Sequence, residues 1–529
     1  MKGRTIISLL SLFLSILTLL ILSSCGDGKK TEQTANKTQI DEETETAGIS
    51  MEGYVLICPD SMDASFKNTV GSVGKALGNM PVSTVGTGSD KEIRLSIADD
   101  IDGEKEHKWS LEIGEKSVEI KGSDSNALLM GLKKFMKLTD GEKIYAAPGD
   151  KQSGSFGDEV RIFENLVTFT LAGETLIDKP AGATSKAVLK YPTIIELCHQ
   201  SDEKKNGILL ASGERWLDDH DAPIYKSLDG GATFNTITFV RDTLHGNRSA
   251  FAPCLFELPR AVGDMPAGTV ILGTNCINAA SDENYIVLFR SFNCGNTWEA
   301  FYTIAGGKKS EGKYGIWEPN FVVTDDGTLI CYYSDETDPA HSQKLVYRTT
   351  KDGEKWEKAK DMVALTEYRL RPGMPVVTRM NNGQYMLAYE IVGLPGNPVY
   401  YRISDDPTDF GAVTDLGKLP RAGASTLAAT PWVSALDAGT ANGIIMLTGW
   451  RMATGSSDTG SDIFLSFDRG KKWTAIPNYY PYTWNSDDDT CGYSASFFLG
   501  SDGKTLYYMA NPSNKGIKNT YVLYRIEIE

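Results

Sequence analysis

The chain has 529 residues, 41% hydrophobic and 10% aromatic, which is ample for a large core and more than one ordinary domain requires. A formal charge of −16 argues against nucleic acid or anionic membrane surfaces as partners, because non-specific affinity for them comes from basic charge. The 5 histidines are scattered, with no H-E-x-x-H and no Cys/His cluster, so no cofactor and no catalytic metal are expected.

In chain order, Lys2 and Arg4 precede an apolar run from Ile6 to Leu22, and Leu22-Ser23-Ser24-Cys25 follows. This resembles a bacterial lipoprotein signal with its lipobox, which makes residues 1–24 a signal peptide and Cys25 the lipidated N-terminus. The alternative is a transmembrane anchor, for which the run is short. Either way the rest of the chain is expected outside the cytoplasm, in the cell envelope at the outer membrane or periplasmic face. Residues 25–50 are polar and charged with almost no large apolar groups, the composition of a disordered tether.

Residues 51–150 read as a small α/β accessory domain. Tyr54–Cys58 and Ile93–Ala98 have strand patterns, Trp109–Ile113 and Val118–Ile120 form a hairpin across Gly114, and Leu128, Leu132, Phe135 and Met136 fall on one helical face. It resembles, without a sharp motif, the non-catalytic N-terminal domain of several bacterial exo-glycosidases; a generic spacer is the other reading. Beyond Cys25, the cysteines are Cys58, Cys198, Cys254, Cys276, Cys294, Cys331 and Cys491. An odd count without C-x-x-C spacing points mostly to buried free thiols.

From 160 to 529 helical periodicity gives way to a repeat. YPTIIEL with GILLASGE, APCLFEL with GTVILGTN, MPVVTRM with GQYMLAYE, TPWVSAL with GIIMLTGW and SASFFLG with GKTLYYMA all echo EPNFVVT with GTLICYYSDE. The first strands carry Pro192, Pro253, Pro319, Pro375 and Pro431, with Ala495 in the sixth copy, at intervals of 56 to 66 residues. The fold class expected is mainly β, a six-bladed β-propeller behind the small α/β domain. On the same period, Ser227 to Phe234, Ser291 to Trp298 and Ser466 to Trp473 follow S-x-D/N-x-G-x-x-aromatic. Thr349 to Trp356 is a shifted variant and Ser404 to Phe410 a decayed one. These resemble the Asp-box, or BNR repeat, of sialidase-like propellers. Asp accepting turn amides and Gly supplying permissive dihedrals give them a structural role.

In each hairpin the residue before the proline shares a rim with the residue seven after the turn glycine. The first ring is Tyr191, Ala252, Glu318, Met374, Thr430 and Ser494; the second is Glu214, Asn275, Ser334, Glu390, Trp450 and Ala510. The Asp-box turns fall on the opposite rim. Glu318, Glu390 and Glu214 thus converge on one mouth with Lys190, Tyr191, Arg371, Arg451, Trp450 and Tyr493, a set suited to a sugar: carboxyl groups for acid and base work, an indole for stacking. A solvated loop acid is the alternative for each Glu taken alone.

WEPNF, YYSDE, RPGMPVV, NGQYMLAYE and GYS, over residues 185 to 525, resemble the six-bladed exo-α-1,5-L-arabinanases, retaining enzymes that release arabinobiose from linear arabinan. The resemblance implies Glu318 and Glu390 as the catalytic glutamates and Tyr493 as a functional tyrosine. It leaves open which Glu is the nucleophile; Glu318 is provisionally acid/base and Glu390 nucleophile. Lys190, Tyr191, Glu214, Arg371, Trp450 and Arg451 are expected to bind an oligo- or polysaccharide, in a monomer. An exo-sialidase is the second reading, against which Lys190 stands where such enzymes carry the first carboxylate-clamping arginine. A non-catalytic glycan-binding lipoprotein is the third.

Overall fold

A computed structural model describes residues 48–157, 160–162, 166–178, 188–216, 221–246, 249–277, 282–308, 315–437, 442–454, 463–476, 491–512 and 520–529. Residues 48–529 form one compact unit. The signal, Cys25 and most of the tether lie outside the described residues.

The first part is a six-stranded mixed sheet. Val55–Ile57, Glu92–Ile97 and Val118–Gly122 run parallel, His107–Ile113 pairs antiparallel with Val118–Gly122, and Lys151–Phe156 adds the edge. The helix Ser125–Met136 starts where Asp124 accepts the Ala127 amide at 2.9 Å. It buries Leu128, Leu132 and Phe135 against the sheet, the face its periodicity picks out. A second helix, Ala64–Ala76, was not foreseen: its glycines and β-branched residues weaken the local helical signal.

Six β-sheets follow in a ring. The inner strands begin at Val188, Ser249, Ile316, Arg371, Trp432 and Ser496; each packs on the next, and the sixth on the first. Six apolar clusters fill the six gaps between blades. The ring is closed by a strand from outside the repeat: Thr168–Asp178 pairs with Tyr521–Ile528 and completes the last blade.

The sequence turns sit where the repeat puts them. In blade one Lys190 pairs with Glu214 at one end, while Glu196 pairs with Leu209 and Leu209 with Ser227 at the other. Ser227 Oγ donates to Asp229 at 2.8 Å and accepts the Gly231 amide at 2.9 Å; Ser291 repeats both bonds with Asn293 and the Gly295 amide, and Ser466 with Asp468 and the Gly470 amide. Gly231 has φ +84°, and a Cβ there would meet Leu523 at 2.6 Å, so the position demands glycine on both counts. The cysteines with described positions are all free, and only Cys198 among them is not fully buried.

Candidate active site

Every residue of the first ring has a left-handed backbone: φ is 48° at Tyr191, 45° at Ala252, 60° at Glu318, 55° at Met374, 37° at Thr430 and 61° at Ser494. A residue before proline normally stays extended. Here the inner strand bulges instead, with register shifts at Lys190/Thr193, Phe251/Cys254, Trp317/Asn320 and Gly373/Val376. The bulge takes one peptide N–H out of the ladder, and a buried N–H needs another acceptor.

The preceding blade supplies that acceptor from the second ring. Ala252 N donates to Glu214 Oε2 at 3.0 Å, Glu318 N to Asn275 Oδ1 at 3.1 Å, Met374 N to Ser334 Oγ at 3.2 Å and Thr430 N to Glu390 Oε2 at 2.9 Å. In blade six Ser494 N turns to Thr430 Oγ1 at 3.2 Å. A latch of this kind accepts Asn or Ser as readily as an acid. Glu214 and Glu390 therefore have a structural duty, and Glu390 is immobilised by it.

Glu318 points across the mouth. Its Oε1 accepts from Tyr191 OH at 3.1 Å, and its Oε2 from Ser334 Oγ at 2.8 Å and Met374 N at 3.2 Å. Glu390 stands opposite Gly373 in the sheet register, so the two carboxyl groups flank the Gly373–Met374 peptide. Burial, and next the charge of Glu390, push the Glu318 carboxyl up to about 7 against the opposition of its three hydrogen bonds. Burial raises Glu390 too, and the Thr430 amide and the Arg371 charge draw it back. One group is thus disposed to hold a proton near neutrality while its neighbour has the cation.

The tyrosines form the wall. The rings of Tyr191 and Tyr493 meet edge to face at 5.4 Å, and Trp450 meets Tyr493 at 5.1 Å. Lys190 Nζ lies 4.7 Å over the Tyr493 ring. Burial, then the charge of Glu390, raises the Tyr493 phenol far above its ordinary range, so it stays protonated. Below Glu318, Pro192, Pro253, Pro319, Pro375 and Pro431 line the floor.

The expected set thus comes together, with different duties for some members. Glu214 is buried in a latch. Trp450 donates its indole N–H to Cys491 O at 3.0 Å, and the exposed Arg451 covers one face of its ring at 3.9 Å. Arg371 is ion-paired with Glu336 and bonded to Gln343 at 2.8 Å. Ser334, Glu336 and Gln343 were missed as site residues. Ser334 stood in the second ring and Glu336 two residues beyond it, so ring position was a usable signal for both; nothing marked Gln343.

No protein-family model and no curated protein matches the chain. Solved structures do. An α-L-arabinofuranosidase of Fusarium graminearum, solved with an iminosugar inhibitor, is 30% identical, with the match covering 68% of this chain and 98% of that one at a TM-score of 0.56. The chain belongs to glycoside hydrolase family 93. Within family 93, the Fusarium enzyme bound to arabinobiose is 29% identical and an α-L-arabinanase of Penicillium chrysogenum, also bound to arabinobiose, 28%. Both again match 68% of this chain and 98% of theirs at a TM-score of 0.56. The protein is a glycosidase on a six-bladed propeller, and the part of the chain outside the match has no counterpart in these family 93 relatives.

Proposed function

We propose that this family 93 enzyme is an exo-acting, retaining hydrolase of α-L-arabinan-type glycans, with Glu318 as acid/base and Glu390 as nucleophile. The observation that carries the reading is the pair of half-buried carboxyl groups flanking the Gly373–Met374 peptide, one pushed up to about 7 and the other under the charge of Arg371. Glu318 protonates the leaving oxygen, Glu390 attacks the anomeric carbon, and Glu318, now ionised, takes a proton from the water that releases the sugar. A retaining enzyme needs its carboxyl groups roughly 5 to 5.5 Å apart, a spacing that flanking a single peptide supports. Tyr493, whose phenol burial and the Glu390 charge hold neutral, walls the sugar site, and Lys190 in place of the first carboxylate-clamping arginine speaks against a sialidase. Lys190, Tyr191 and Trp450 frame a neutral sugar, with Arg451 at its edge.

The relatives' arabinobiose complexes support an oligosaccharide substrate here. The Ser/Asp/Gly turns support reading Asp229, Asn293 and Asp468 as Asp-box residues. We further read residues 1–24 as a lipoprotein signal, 25–50 as the tether, 51–150 as an accessory domain and 160–529 as the catalytic domain of a monomer anchored by Cys25 on the outer membrane or periplasmic face. The test is to offer the purified protein arabinan oligosaccharides, an aryl α-L-arabinofuranoside and an aryl sialoside, following the anomer first released by NMR. Release of the retained furanose is expected; sialic acid release, or an inverted product, would overturn the reading.

A further inference from the structure

Two half-buried carboxyl groups lie on either side of one peptide, and a displacement mechanism works only if the right one is ionised. Glu318 has three hydrogen-bond donors and Glu390 one, so donor count alone favours ionising Glu318. Something must reverse that preference.

Arg371 opens the inner strand of blade four. It pairs with Val392 and Gly373 pairs with Glu390, which puts Arg371, Gly373 and Glu390 on one face of the sheet. Its guanidinium is held from blade three: Nη2 donates to Glu336 Oε1 and to Gln343 Oε1, the latter at 2.8 Å. Gln343, itself buried, donates its Nε2 to Pro372 O at 2.9 Å, so one amide clamps both the guanidinium and the strand that carries it. The space for this is left by Gly373, where a Cβ would stand 2.5 Å from Gln343 Nε2 and 3.6 Å from Glu390 Oε1. Glu336 is fixed in the same manner. A Cβ on Gly315 would collide with its Oε2, and its own amide donates to Gly315 O at 2.8 Å. Among the described residues, the groups facing Glu390 are Glu318 from blade three, Tyr493 from blade six, the Thr430 amide from blade five, and Arg371 with Glu336 behind it. Arg371 is the cation among them.

We propose that Arg371 is a positioning residue for the hydrolysis: clamped by Gln343 and partly neutralised by Glu336, it keeps Glu390 ionised and thereby decides which of the two carboxyl groups is the nucleophile. This rests on the reaction proposed above, and replaces a substrate-binding duty for Arg371 with an electrostatic one.

The test is the pH dependence of kcat/KM on an aryl α-L-arabinofuranoside for the wild type, Arg371→Met and Glu336→Gln. Loss of the cation should move the acid limb up by about one pH unit, with KM little changed and the rate recovering above the new limb. Glu336→Gln leaves the cation less neutralised, so its limb should move down. Opposite shifts are something a merely structural network would not give. An unmoved limb with a raised KM would make Arg371 a substrate ligand, and an equal loss at every pH in both variants would make the network structural; either overturns the proposal. If Arg371→Met does not fold, the separate variants Arg371→Lys and Glu336→Gln decide: the ammonium should hold the limb in place and Glu336→Gln should lower it, and an unmoved limb in Glu336→Gln refutes the role. A wild type inactive on the arabinoside would sink the proposed reaction alone. The carboxyl infrared band that disappears in Glu390→Gln would then be titrated in Arg371→Met, where an unshifted midpoint refutes the role.

Discussion

Replacing Glu318 with Gln should make the protein more stable at pH 8 and change it little at pH 5. The carboxyl titrates at about 7 in the folded chain against an ordinary 4.5, because it is buried beside Glu390. Between those values the unfolded state has released a proton that the folded state keeps. The stability tied to that proton is complete below about 4.5 and is lost as the pH rises through 7. The difference of about 2.5 units, at about 1.36 kcal/mol each, sets an upper value of about 3 kcal/mol, and the opening of Glu318 to the mouth reduces it to roughly 2 kcal/mol. The amide keeps the donors satisfied: its oxygen accepts from Tyr191, its NH2 can donate to Ser334 Oγ, and the Met374 amide retains Ser334. Denaturant melts of both proteins at pH 5 and pH 8 measure the effect. Equal destabilisation at both pH values, or a larger gain at pH 5, would refute the account of Glu318 as a carboxyl held protonated by burial.

Tyr191→Phe removes a donor to the ionised form of Glu318, so its pKa should rise further and the basic limb of kcat/KM should move up by about one unit; a downward shift would contradict the hydrogen bond's direction. Glu390→Ala should lose glycosyl-enzyme formation and recover with azide to an inverted azide product, while Glu318→Ala should spare substrates with good leaving groups and give the retained azide product; exchanged patterns would swap the roles. Gly373→Ala should cost about 1 to 3 kcal/mol by driving a methyl into Gln343, read as a fall in denaturation midpoint, and an unchanged midpoint would show that Gln343 is not clamped. Cys25→Ser should abolish labelling by radioactive palmitate, and persistent labelling would remove the anchor.

The blades were legible because a hairpin repeat with one proline per copy states both the strand pair and its phase. Glu318 and Glu390 could be placed on one rim by counting from Pro319 and from Gly383. What could not be counted was the backbone at Glu318 itself. The rule for residues before proline predicts an extended conformation, and the five left-handed residues that precede a proline break it, as Ser494 before Ala495 repeats the same backbone, because the ring, not the dipeptide, sets the geometry. The latch followed from that backbone, so the buried duty of Glu214 was hidden as well. Thr168–Asp178 was equally silent, since it belongs to no repeat copy and its partner lies at the far end of the chain.

That pairing governs how the molecule is born. Phe169 meets Ile528, so the first propeller strand to leave the ribosome waits for the last, roughly 20 to 70 s at ordinary translation speeds. Through that interval one edge has only Val160–Ile162 beside it and the other is bare, a template for any stray strand. The seam also has a clasp: Thr168 and Glu529 exchange backbone hydrogen bonds at 2.8 and 3.0 Å, and Lys133 of the Ser125–Met136 helix reaches Thr168 Oγ1 at 2.8 Å. Losing the final ten residues would therefore unpair Thr168–Asp178, open the ring and remove one side of the clasp, which makes an incomplete chain a ready target for proteolysis.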